Sequence, residues 1–379
     1  MKRHLLTGAA LVAAVASMGI FVAPAAQAQG IPRPSLNSSV GCEGSPRTIV
    51  PDRNAVAAHG ISAVFPDAVA TDPNLAASVP AAMKRTFASN PTWVTNLKCG
   101  TPIPQPKGDV QRTQGMQPLA TQAVTPTVDQ ATSYNWSGYR LAGIDFNHTY
   151  YSSAGGVWNV PAPYPPNSGT DQESASIWAG IGSGDGSGTS ADQLLQAGSV
   201  SYSGPGVGGV GPSGTYMFYE VFPYQDEVTV TNLPVNGNDL VESFVFYDVP
   251  HNTMDFTLCT STTNACGSGQ EVMTEPVGSW AQQVEWIVER HGFAGHISRL
   301  LRFDTNVHMT ATYGEMEGGS TTTDTYIIGE GPSGGGAHLD QITMVNCPGS
   351  TDPAPYLAQA LPLLSGAFDV QWHSTGTTC

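Results

Sequence analysis

From Pro126 to Cys379 the chain has no lysine and four arginines, Arg140, Arg290, Arg299 and Arg302, against 25 acidic residues, a net charge of −21. A surface of that sign repels polyanions, which excludes nucleic acid as a natural partner. It also repels itself near neutral pH and loses that repulsion as its carboxylates protonate, so the stretch reads as built for acid. Long apolar runs are missing as well once the N-terminus is passed, and no later segment is predicted to cross a bilayer.

What is present at the start of the chain explains the missing membrane spans. Lys2 and Arg3 precede an apolar run from Leu5 to Val22 that ends in Ala26-Gln27-Ala28, the pattern of a secretory signal with a small-residue cleavage site. Residues 1–28 are therefore expected to be removed, and the mature protein is expected to be secreted, extracellular and monomeric. Six cysteines fit an oxidising compartment.

Residues 29–125 have the opposite charge balance, eight basic side chains against five acidic ones. They are rich in Pro and Ala, with one helix predicted from Pro80 through Met83, Lys84 and Phe87, and then a Pro/Gln/Thr-rich linker from Thr101 to Thr125. A basic, mostly irregular or helical leader before an acidic domain at 126–379 has the layout of a propeptide. It would act as an intramolecular inhibitor or chaperone, held by the domain's carboxylates near neutrality and released in acid. Cys42 and Cys99 both lie in it and could pair there.

From about Val128 onward short β-branched and aromatic runs alternate with Gly, Ser, Asn and Pro. Examples are Tyr139–Ile144, Gly156–Val160, Ser176–Ile181, Gln193–Ala197, Thr215–Phe222, Glu227–Val230, Leu240–Tyr247, Met254–Cys259, Glu285–Glu289, Val307–Tyr313 and Gln341–Val345. Such spacing predicts an all-β sandwich or barrel with one large core. Cys259 and Cys266 bracket a hairpin-like loop that a disulfide would staple, and Cys347 with Cys379 would then tie the last strands, although four cysteines allow three pairings.

Three motif matches lack their structural context. Gly331-Pro332-Ser333-Gly334-Gly335 fits a nucleophile elbow, but Ala337–Val345, where a helix should follow, reads as strand. Gly204–Gly209 fits a dinucleotide fingerprint with no helix after it. His291 and His296 are separated by Gly292 and Gly295, which break any metal-binding helix, so both read as solvated loop histidines. Neither a metal nor another cofactor is expected. The Asp-Thr-Gly or Asp-Ser-Gly pair of pepsin-like enzymes is absent.

The candidates that remain are polar residues inside apolar strands. In Val284-Glu285-Trp286-Ile287-Val288-Glu289 a period of two places Val284, Trp286 and Val288 on a core face. Glu285 and Glu289 fall on the other, about 13 Å apart along the strand. Gln196 shares a face with Leu194, where it is either a core glutamine satisfied by the backbone or a functional amide. Glu220 sits in an aromatic stripe of Tyr216, Phe218 and Phe222, which is either core or the wall of a substrate groove.

Taken together, Asn135-Trp136-Ser137-Gly138, Trp178-Ala179-Gly180-Ile181-Gly182, Leu194–Gly198, Tyr219-Glu220-Val221-Phe222-Pro223 and Val284–Arg290 resemble the glutamic peptidases, the eqolisin family, in order and spacing over residues 128–346. The resemblance implies a large two-sheet antiparallel β-sandwich of the concanavalin-like or jelly-roll type. It also implies a catalytic dyad at Gln196 and Glu289, a groove contacted by Trp178, Phe218, Glu220, Phe222 and Glu285, and polypeptide substrates. Two departures stand out: the acid of the Trp178 loop is displaced, which leaves open whether Asp185 replaces it, and the strand after Phe218 has Val221 and Phe222 in place of Trp and Tyr. Two other readings fit the same residues. One is a jelly-roll glycoside hydrolase using Glu220 and Glu289, the other a carbohydrate-binding β-sandwich without catalysis.

Overall fold

The structure, a computed structural model, describes residues 92–94, 97–100, 117–118, 128–142, 149–162, 172–183, 193–204, 213–222, 225, 227–248, 253–272, 281–293, 296–317, 324–328, 338–363 and 366–378. The signal, the helix expected at Pro80, the Gly331–Gly335 turn and Asp185 lie outside them. Among the described residues every helix or strand assigned is a β-strand.

One continuous sheet folds over on itself into two layers. The strands that shape it are β1 (Thr92–Val94), β2 (Val128–Ser133), β3 (Trp136–Ala142), β4 (Thr149–Asn159), β5 (Glu173–Ser183), β6 (Gln193–Ser203), β7 (Gly214–Phe222) and β8 (Val228–Val230). They continue with β9 (Leu240–Asp248), β10 (Thr253–Thr260), β11 (Ala265–Val272), β12 (Gln283–Glu289), β13 (Val307–Glu317), β14 (His338–Met344), β15 (Ala358–Ala360) and β16 (Ala367–Trp372). The first layer runs β8-β7-β6-β5-β12-β3-β14-β2. The second runs β1-β11-β10-β9-β4-β13-β16-β15, and β15 then pairs with β14 of the first. Within this frame only β14–β2 and β1–β11 are parallel.

Alternation along the strands sorts side chains between two apolar clusters. Val284, Trp286 and Val288 of β12 enter the large cluster between the layers, with Trp158, Val221, Val245 and Met309. Ile287, from the other face of the same strand, joins a smaller cluster with Trp136, Trp178, Leu194, Val200, Phe218 and Ile342. Polar groups in the large core are tied across the layers: Trp158 Nε1 donates to Ser199 Oγ at 3.0 Å, Ser243 Oγ to the Ala197 carbonyl at 2.8 Å, and Trp286 Nε1 to the Gly155 carbonyl at 2.8 Å. Such bonds offset the cost of burying these donors and fix one layer's register against the other.

The runs predicted as strands fall on strands. β11 was less visible, because Ala-Cys-Gly-Ser-Gly-Gln-Glu-Val carries no β-branched alternation. Its place comes from pairing with β10, in which Cys259 faces Cys266 and the two form a disulfide. Cys99 and Cys347 are also disulfide-bonded.

Candidate active site

The outer face of the first layer carries three rows of side chains that run across the strands. The first is Glu220 (β7), Gln196 (β6), Gly180 (β5), Glu285 (β12), Arg140 (β3) and Asp340 (β14). The second is Phe218, Gly198, Trp178, Ile287, Gly138 and Ile342, and the third contains Tyr216, Val200, Ser176, Glu289 and Trp136. Gln196 and Glu289 thus share a face, two strands apart and two same-face steps apart along the strands, with Trp178 in the row between them. Register alone brings all the candidate residues onto this one surface.

Glycine is required in the middle row. A Cβ on Gly198 would lie 2.0 Å from the Ile177 carbonyl oxygen and 2.8 Å from Trp178 Cα, so any side chain there would push β6 off β5 beside the Trp178 indole. Trp178 is packed from the other side by Trp136, edge-on with ring centroids 5.4 Å apart.

Glu289 is held at both oxygens. Trp178 Nε1 donates to Oε2 at 2.9 Å, and Asn135 Nδ2 donates to Oε1 at 3.2 Å. Asn135 sits in the short turn between β2 and β3. Arg290 braces that turn, its backbone N–H bonding the Asn135 carbonyl at 3.0 Å and its Nε the Tyr134 carbonyl at 2.6 Å. Arg290 is fully buried, and loss of hydration brings its guanidinium down to about 10. Its Nη1 reaches the carbonyls of Ser298 and Thr377, and Nη2 reaches Cys347 Sγ, so it also binds the C-terminal tail to the site.

Gln196 is fully buried and donates from Nε2 to Glu220 Oε2 at 2.5 Å. Asn135 and Trp178 thus both donate to Glu289, while the Gln196 amide donates to Glu220. Its Oε1 has no hydrogen-bond partner among the described residues. A buried amide oxygen in that state costs about 1–3 kcal/mol, which makes it a natural acceptor for a group outside the described residues. Glu285, also fully buried, accepts from Gln283 Nε2 at 2.9 Å, while Arg140 beside it donates from Nε and Nη2 to Asp340. Phe218 is buried in the small apolar cluster and Phe222 packs against it, opposite Leu194.

His291 corrects the reading made from sequence. It is 1% exposed and not a solvated loop residue: its Nδ1 lies 3.0 Å from Glu227 Oε2, and Tyr202 donates to Glu227 Oε1 at 2.7 Å. The glycines that break a helix here do not interrupt the strand parity, which carries 285, 287 and 289 on to 291. Tyr202 follows Gln196, Gly198 and Val200 on the same face by the same parity. Burial first, then the carboxylates of Glu227, Glu220 and Glu289, pushes the Tyr202 phenol well above its usual range, so it stays a neutral donor among three acids. The side chain of His296 lies outside the described residues. Among the described residues no group of three or more His, Cys, Asp or Glu side chains is placed to hold a metal ion.

Comparison with known proteins adds the family. No curated protein sequence matches the chain. Among solved structures, scytalido-glutamic peptidase with a transition state analogue inhibitor is similar at 18% identity and a TM-score of 0.43, covering 63% of this chain and 98% of that one. SCP-B, a member of the eqolisin family of peptidases in complex with the tripeptide Ala-Ile-His, is similar at 17% identity and a TM-score of 0.39, with the same coverage. The family model described as "Peptidase A4 family" matches residues 134–345, which is more than half of the chain and includes every residue of the three rows. The chain belongs to that family, the eqolisins, and is a glutamic peptidase, a hydrolase acting on peptide bonds.

Proposed function

We propose that the protein is a secreted, acid-active endopeptidase made as a zymogen, in which Glu289 is the general base and Gln196 stabilises the oxyanion. The observation that carries this reading is the pair of N–H donors on the Glu289 carboxylate. Donors to the ionised form favour it, which is what a base working in acid needs. Glu289 would take a proton from a water attacking the scissile carbonyl and then hand it to the leaving nitrogen. The Gln196 amide has a second N–H beyond the one given to Glu220, and that proton can meet the developing oxyanion, a contribution of about 3 kcal/mol when preorganised. Its Oε1 is then available to accept from the water or from a substrate N–H. Glu220 aims Gln196, and Trp178 and Asn135 aim Glu289. Trp178, Phe218, Phe222 and Glu285 form the surface on which a polypeptide would lie.

The test is peptide cleavage by the matured domain across pH, with products sequenced and a β-glucan as the control substrate. Glu289→Gln and Gln196→Ala are expected to abolish proteolysis while the domain keeps its cooperative melting. An active variant of either removes that residue from the dyad, and glucan hydrolysis in place of proteolysis overturns the assignment. Acidifying the proform is expected to yield a new N-terminus between Gln117 and Val128, and the Glu289→Gln proform is expected to remain uncut.

A further inference from the structure

Part of the leader is built into the sandwich. β1 runs parallel to β11 with Thr92 opposite Ala265, Trp93 opposite Cys266 and Val94 opposite Gly267, and the Thr92 N–H bonds the Asn264 carbonyl at 2.9 Å. Residues 97–100 of the same segment lie against the edge of the other layer. There Gly100 N–H donates to the Thr229 carbonyl and Thr231 N–H to the Lys98 carbonyl, both at 2.7 Å. Cys99 bridges Val230, and Lys98 N–H reaches Asn232 Oδ1 at 2.8 Å. One short stretch thus pairs with the end strands of both layers, β11 and β8.

Side chains reinforce these contacts. Leu97 is 4% exposed and belongs to the large core between the layers. A Cβ on Gly267 would lie 2.3 Å from Leu97 Cδ2, so the glycine leaves the space that Leu97 fills. Val94 and Cys99 pack against the same core, and Cys99 Sγ lies 4.0 Å from the Tyr219 hydroxyl. The basic side chain in the contact, Lys98, is exposed. Backbone pairing and an apolar plug hold the segment, and neither weakens when carboxylates protonate.

We propose that Thr92–Gly100 is a permanent strand of the folded protein and not part of a detachable leader. Cutting the chain in the 101–127 stretch leaves this segment in place, and the mature protein then consists of two chains, one of them this short strap. The proposal holds whichever protease makes the cut, so it does not depend on Glu289 being the base.

To test it, recognition sites for a site-specific protease are placed before Pro91 and within 101–110 of the full-length Glu289→Gln protein, which cannot process itself. After cutting at both sites, native size-exclusion chromatography with and without reductant is followed by intact mass measurement. The fragment containing Thr92–Gly100 is expected to co-elute one to one with the body in both conditions, which rules out the Cys99 disulfide as the sole tether. Its separation under reducing native conditions overturns the proposal. Leu97→Ala is expected to speed its dissociation at least about tenfold, as loss of a buried leucine side chain should. Should that variant fail to fold, amide exchange decides. Protection of the Thr231 and Gly100 amides that is unchanged by cutting supports the strap, and exchange at the rate of an unstructured peptide overturns it.

Discussion

Asn135 Nδ2 donates to Glu289 Oε1, and Ser133 fixes the direction of that amide. Ser133 Oγ accepts from the backbone N–H groups of Asn135 at 3.3 Å and Trp136 at 3.2 Å, and its own proton goes to Asn135 Oδ1 at 3.0 Å. With Oδ1 occupied as an acceptor, Nδ2 must face the carboxylate. A flipped amide would set Oδ1 against the Glu289 carboxylate, oxygen against oxygen, and turn Nδ2 toward a hydroxyl that already accepts from two N–H groups.

Asn135→Ala removes a donor to the ionised Glu289 and is expected to raise its pKa. The acid limb of the kcat/KM profile should move up by about one pH unit, since a hydrogen bond to a charged group contributes about 1.5–3 kcal/mol and one unit is about 1.4. Activity below the limb falls accordingly and the plateau changes less. Ser133→Ala, which frees the amide to turn, should move the limb the same way by less. A profile lowered uniformly at every pH would show that Asn135 does not act through the carboxylate.

Gly198→Ala places a methyl group 2.0 Å from the Ile177 carbonyl, a backbone atom that cannot move aside alone. Separation of β6 from β5 is expected to destabilise the domain by about 2 kcal/mol or more. It should also reduce turnover, because Gln196 and Trp178 lie on the two strands forced apart. Urea unfolding alongside peptide cleavage checks both, and an unchanged midpoint would contradict the close approach.

Stability of the folded domain is expected to fall between about pH 4.5 and pH 7 because of Glu271. Burial pushes this carboxyl up to about 7, although Tyr219 and Gln225 donate to it. A raised acid pKa means that the folded state keeps its proton while the unfolded chain has already lost its own. The stabilisation is complete below the unfolded value of 4.5 and is lost as pH rises through the folded one. The shift corresponds to about 3 kcal/mol. Glu271→Gln, neutral at every pH, should flatten the melting curve over that window, and an equal slope in both proteins would place the pH dependence elsewhere.

Much of the site was legible because strand parity is rigid. Glu285 and Glu289 had to share a face with Ile287, and Gln196 with Leu194, before any pairing was known. The register between strands was not legible: that Glu220 stands opposite Gln196, or that Gly180 separates Gln196 from Glu285, depends on long-range pairing that no local pattern encodes. Donor identity was hidden for the same reason. Asn135 lies far from Glu289 in sequence and meets it only because β3 and β12 are neighbours. His291 was misread because its flanking glycines were judged as helix breakers, whereas the alternation of β12 carries on past the end of the strand at Glu289 and buries it. β11 was obscured by its polar and glycine-rich composition, which its disulfide and its position between β10 and β1 offset.

The circuit of backbone pairing, from β8 through the first layer, across β14 and β15, around the second layer to β1 and back along residues 97–100 to Val230, has a colloidal consequence. An acidic protein stays dispersed at neutral pH because its molecules repel one another. As pH falls toward the point where its carboxylates are neutralised, that protection vanishes at the pH where the enzyme is proposed to work. A β-rich chain with a bare strand edge would then join its neighbours edge to edge. Among the described residues the end strands β8 and β11 are already hydrogen-bonded to residues 92–100, so at that end of the sandwich dispersal in acid rests on the geometry of the fold as well as on its charge.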